Sequence, residues 1–125
     1  MTVALVIVSH SVKLAEGVVE LATQMARDVQ FRAAGGTEDG DIGTSFDKVY
    51  AAVEELLGGG HEVAVLTDLG SATMTVEAVL EMVDPDRVRF APGPLVEGAI
   101  AAAVTAQVGG DLAAVVEAAA ARDAF

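Results

Sequence analysis

Val3 to Val8, six apolar residues in a row of which four are β-branched, run directly into Ser9-His10-Ser11, and this opening constrains the fold more than any other stretch. So short and uniformly apolar a run predicts a strand buried on both faces. A helical period starts immediately behind the polar turn, with Leu14, Val18, Leu21, Ala22 and Met25 recurring on one face. A strand that enters a helix through a short polar turn is the first half of a βαβ unit. His10 is thereby expected at the carboxyl end of a central strand, beside the first unpaired N–H groups of a helix. That edge is where open α/β sheets bind their ligands.

The rest of the chain repeats the alternation. The first helix is predicted to end near Asp28, and Val29 to Ala34 reads as a second strand, closed by Gly35-Gly36-Thr37. After the acidic loop Glu38 to Asp41, Thr44 or Ser45 can cap a second helix whose apolar face is Phe46, Val49, Tyr50, Val53, Leu56 and Leu57. Gly58-Gly59-Gly60 ends that helix and is followed by no Gly-Lys-Ser/Thr, so it is a turn and not a phosphate-binding loop. Val63 to Thr67 and Val88 to Ala91 are the third and fourth strands, with a helix from about Ala72 to Met82 between them. An alanine-rich helix from Leu95 to about Val108 follows, and Asp111 can cap a last helix through about Arg122. The expected fold is α/β: a doubly wound, four-stranded parallel sheet, order 2-1-3-4, with helices on both faces in one domain spanning 1–125.

Composition narrows the function classes. A net charge of -12 argues against nucleic acid and anionic membranes as partners. The absence of cysteine excludes disulfides and thiolate chemistry, and two histidines far apart argue against a metal site. Met1-Thr2 has no basic leader, and no apolar run approaches the ~18 residues of a membrane span, so a soluble cytoplasmic protein is expected.

In strand order 2-1-3-4 the first and third strands are neighbours at the switch point, which brings His10 and Asp68 to one crevice. His10 has two readings: a loop histidine bonded to nearby backbone, or a nucleophile able to carry a phosphoryl group. Asp68 could orient the imidazole by accepting from Nδ1, or cap the helix behind it, or do both. Ser11, Gly70 and Ser71 stand at helix starts where amides welcome an anion, and Ser71 and Thr73 either donate to it or satisfy the helix start. Lys13 either assists or is solvated. His61 falls on the amino edge and reads as a turn residue.

These residues, with others, carry a family resemblance. Val-Ile-Val-Ser-His-Ser at 6–11, Leu-Ala-Glu-Gly at 14–17, Ala-Ala-Gly-Gly at 33–36, Ile-Gly-Thr at 42–44, Asp-Leu-Gly-Ser-Ala at 68–72 and Pro-Leu-Val-Glu-Gly at 94–98 span most of the domain. The chain resembles the DhaM family, phosphocarrier subunits of phosphoenolpyruvate-dependent dihydroxyacetone kinase, itself similar to mannose-class enzyme IIA of the phosphotransferase system. The resemblance implies a phosphoenolpyruvate-glycerone phosphotransferase subunit without cofactor, in which His10 takes phosphate from HPr. It also implies delivery to ADP bound on a second kinase subunit, and a homodimer. The alanine-rich helix, with Ala101, Ala102 and Ala103, is expected near the dimer contact, although close packing inside the monomer explains small side chains equally well. Some relatives carry HPr-like and enzyme I-like domains after this one. The present sequence stops at Phe125, so a separate donor protein is expected. The alternative is a mannose-class enzyme IIA component of a sugar transporter. Such domains usually carry Gly-Gly-Ser/Thr-Pro where this chain has Gly70-Ser71-Ala72, which favours the kinase branch.

Overall fold

A computed structural model describes residues 2–122. Met1 and the chain end at Phe125, both used in the sequence reading, lie outside the described residues. Four strands, β1 (Val3–Ser9), β2 (Phe31–Gly35), β3 (Glu62–Thr67) and β4 (Val88–Phe90), alternate with α1 (Val12–Met25), α2 (Phe46–Gly58), α3 (Gly70–Leu80) and α4 (Leu95–Gln107), and α5 (Leu112–Ala118) follows. The strands are parallel in the order β2-β1-β3-β4, as the sequence predicts.

Strand β1 explains why the sheet is covered on both sides. Alternate residues of a strand face opposite ways, and here both sets are apolar. Val3, Leu5 and Ile7 pack with Ala15, Val18 and Ala22 of α1, with the alanines of α4, and with Leu112 and Val115 of α5. Ala4, Val6 and Val8 pack with Val49, Val53 and Leu56 of α2 and with Ala72, Val76 and Val79 of α3. Removing such side chains from water is the main favourable term of folding, about 25 cal/mol per Å² of apolar surface. Ala102 and Ala103 are fully buried inside the chain, so two of the three alanines expected near a dimer contact serve the monomer's own core.

Some element boundaries differ from the predicted ones. Helix α1 stops at Met25, where Ala26 leaves helical geometry, and Val29 closes a turn onto the Ala26 carbonyl before β2 starts at Phe31. Helix α3 begins two residues earlier than predicted and ends at Leu80, where Met82 N–H turns back to the Val79 carbonyl. Helix α5 ends at Ala118 and not near Arg122, and Ala121 adopts a left-handed φ of 53°.

Gly35 sets the approach of α1 to β2. A Cβ there would lie 2.6 Å from the Ser11 carbonyl oxygen and 2.8 Å from the Val12 Cα, so only glycine admits the start of α1 at this height. On the outer rim of β2, Arg32 Nη1 donates to the Phe31 carbonyl and Lys48 Nζ to that of Gly35, with Ala33 exposed between them.

Candidate active site

Strands β1 and β3 run side by side, with Val8 paired to Thr67, so the residues that follow each strand meet at the carboxyl edge. Asp68, just past β3, receives four hydrogen bonds there. Its Oδ1 accepts from His10 Nδ1 at 2.9 Å and from the Leu69 N–H at 2.8 Å. Its Oδ2 accepts from the Ser9 hydroxyl at 2.8 Å and from the His10 N–H at 3.0 Å. Burial by itself would push the Asp68 carboxyl up. The His10 N–H, the imidazole, the Ser9 hydroxyl and the Leu69 N–H outweigh that and hold it below the ordinary carboxylate range.

This electrostatics fixes the imidazole. An ionised carboxylate only accepts, so the ring proton belongs on Nδ1 and the lone pair on Nε2. Nε2 contacts the hydroxyl of Ser71. In this tautomer that hydroxyl is the donor. Ser71 is exposed, in the first turn of α3.

Two helix starts flank the histidine. At α3 the cap position is Leu69, which has no capping side chain, and among the described residues no acceptor meets the N–H groups of Gly70 and Ser71. Asp68 is therefore not the helix cap, although it does bind the Leu69 N–H. At α1, Ser11 is the cap: its Oγ accepts from the Leu14 N–H at 3.1 Å, while its own N–H donates to the Ser9 hydroxyl oxygen. The structure thus gathers His10, Asp68, Gly70 and Ser71 at one point and holds Ser11 one residue away by its backbone. Thr73 is occupied elsewhere, its hydroxyl 2.8 Å from that of Thr67, and Lys13 is exposed. His61 lies at the far edge, its Nδ1 3.0 Å from the Thr2 hydroxyl.

Two partners are absent from the sequence reading. Ser9 is fully buried, and the signal for it is a hydroxyl closing an otherwise wholly apolar buried strand. Gly43 donates its N–H to the His10 carbonyl at 2.9 Å, tying the 42–44 loop to the site. No local pattern announces that bond, because it depends on how a loop folds over a strand end. Beside this loop, the neighbouring Asp47 carboxylate, with the like charge of Asp39, holds the Glu38 carboxyl above its ordinary value. Among the described residues, no group of three or more His, Cys, Asp or Glu is placed to hold a metal ion, and no helix is long and apolar enough to cross a membrane.

Comparison with known proteins identifies the family. The family model EIIA-man, described as PTS system fructose IIA component, matches residues 4–116. The phosphotransferase subunit DhaM of the PTS-dependent dihydroxyacetone kinase of Lactococcus lactis is 40% identical over 117 residues, covering 94% of this chain and 93% of that protein. A phosphoryl donor subunit DhaM of Listeria innocua is 44% identical over 82% of this chain and 81% of its own length. Its Escherichia coli counterpart is also 44% identical, but this chain spans only 25% of that longer protein. A crystal structure of a protein of unknown function superposes with a TM-score of 0.87 at 31% identity, over 97% of this chain and 95% of that one. With a matching family model across nearly the whole domain and DhaM relatives at this identity, the chain belongs to the EIIA-man family of the phosphotransferase system and is similar to its DhaM phosphoryl donor subunits.

Proposed function

We propose that this chain is the phosphoryl carrier of a phosphoenolpyruvate-dependent dihydroxyacetone kinase, charged by HPr on His10 and discharged to ADP held on a kinase subunit. The observation that carries the reading is the pairing of His10 Nδ1 with Asp68, which directs Nε2 towards the open start of α3. For charging, the exposed Ser71 hydroxyl rotates off Nε2. The lone pair then forms the N–P bond as the bond from phosphorus to its donor atom on HPr breaks. Nδ1 keeps its proton throughout, and the anionic Asp68 balances the positive charge that the ring acquires. The free N–H groups of Gly70 and Ser71 receive phosphoryl oxygens, as helix starts do for anions, and Ser11 keeps the start of α1 beside them. Discharge reverses the sequence: the terminal phosphate oxygen of ADP takes the phosphorus, the N–P bond breaks, and the ring returns to neutrality.

The protein works in the cytoplasm as a homodimer in this reading, without cofactor, nucleic acid or membrane. The kinase acceptor is preferred over a sugar transporter because the relatives described above are dihydroxyacetone kinase subunits. The test uses purified phosphoenolpyruvate, enzyme I and HPr. Wild type should gain one acid-labile phosphate, lose it on addition of the ADP-loaded kinase subunit, and gain none from ATP alone. His10→Ala should gain none while keeping its circular dichroism spectrum. A wild-type chain that stays unlabelled with the full donor system overturns the proposal, and labelling by ATP alone removes the carrier role.

A further inference from the structure

The four bonds received by Asp68 do not weigh equally in what they can control. Two come from backbone N–H groups, of His10 and Leu69, and one comes from the imidazole being oriented. The fourth comes from Ser9, among the described residues the one side chain besides the imidazole that holds this carboxylate. Ser9 is fully buried at the end of β1, and its hydroxyl is engaged both ways: it donates to Asp68 Oδ2 at 2.8 Å and accepts the Ser11 N–H at 3.0 Å. Its carbonyl accepts the Gly36 N–H at 3.0 Å, which fixes the backbone from the β2 side. The hydroxyl has no contact with the reacting nitrogen.

We propose that Ser9 is a positioning residue, whose buried hydroxyl holds Asp68 Oδ2 so that Oδ1 faces His10 Nδ1 and keeps the Nε2 lone pair outward. A carboxylate rotates about its terminal bond, and its two oxygens are equivalent until something distinguishes them. Ser9 and the His10 N–H together hold one oxygen against the strand end, which leaves the other for the ring. Without the hydroxyl, that oxygen keeps one bond in a partly buried place, and the carboxylate gains by turning towards water. The proton on the ring is then no longer confined to Nδ1. The kinetic part of this inference rests on the phosphocarrier reading, whereas the tautomer part does not.

The experiment is ¹⁵N NMR of the uncharged, full-length chain labelled at histidine, with phosphate transfer from HPr measured on the same samples. Wild type should show His10 protonated at Nδ1 at neutral pH. Ser9→Ala should move the two ring nitrogens towards the averaged shifts of exchanging tautomers and slow charging about tenfold, as loss of one hydrogen bond to a charged group implies. Ser9→Thr, which keeps the hydroxyl, should restore both. A Ser9→Ala protein that melts lower but retains wild-type ¹⁵N shifts and charging rate shows a purely structural serine and overturns the proposal. If Ser9→Ala does not fold, Ser9→Cys replaces it, since a thiol donates weakly and should give the same tautomer mixing. Tautomer mixing in the variant while neither protein accepts phosphate would defeat the phosphocarrier reading and leave the positioning role standing.

Discussion

One carboxylate holds His10 at two points: Asp68 Oδ1 receives the ring Nδ1 at 2.9 Å and Oδ2 receives the backbone N–H at 3.0 Å. The imidazole is fixed in tautomer and in position by the same group. Asp68→Asn places an amide there that can donate as well as accept, so the ring can be held with the wrong nitrogen protonated. Charging by HPr should slow by about a hundredfold or more without being abolished, because the nucleophile survives. Rapid-quench measurement of phosphate transfer checks this, and a wild-type rate would reduce Asp68 to a loop-fixing role.

The same carboxylate makes stability depend on acid. The ordinary value for an aspartate is 3.8, and folding lowers it here because the four donors outweigh burial. Between the folded value and 3.8 the unfolded chain binds more protons than the native one. The contribution of Asp68 is therefore fully present well above 3.8 and is lost as pH falls through the lower folded value. The melting-temperature difference between wild type and Asp68→Asn should narrow as pH falls below 3.8. Calorimetry across that range reads it directly.

Much of this could be read from the chain beforehand, for identifiable reasons. Strand β1 was legible because its two faces are both apolar, which only a doubly covered sheet explains. The meeting of His10 with Asp68 followed from strand order, since both close strands that pair as neighbours. The capping role of Asp68 was not decidable from sequence, because an aspartate before a helix suits either use. In the structure Leu69 takes the cap position and Asp68 turns to the histidine. Ser9, beside a histidine, reads in the sequence as part of the polar turn, while the structure continues β1 through it. Helix ends were least legible. Alanine is the strongest helix former and carries no stop signal, yet α5 ends at Ala118 within the alanines of 118–121.

Gly35 offers a test of the packing that brings α1 to the site. In Gly35→Ala the new methyl meets the Ser11 carbonyl oxygen at 2.6 Å and the Val12 Cα at 2.8 Å, both backbone atoms that cannot turn aside. The variant should lose about 1–3 kcal/mol of stability, the usual effect of overpacking. Because Ser11 and Val12 lead from the histidine into α1, charging should slow as well. Urea unfolding gives the first quantity and phosphate transfer the second.

Assembly can be checked without reference to chemistry. Sedimentation equilibrium at micromolar concentration should report twice the 12.7 kDa chain mass. A single-chain mass would remove the homodimer from the functional reading. With Ala102 and Ala103 buried within the chain, their substitution should affect folding before it affects association.

The rim of β2 has a further consequence. A parallel sheet with an uncovered margin is a template on which other extended chains can add rung by rung. Here the guanidinium of Arg32 and the ammonium of Lys48 occupy the carbonyls at Phe31 and Gly35, so a strand adding at this margin must first displace two cations. On this side the molecule has, in effect, an end, set by two cations in a chain that has only seven lysines and arginines to distribute.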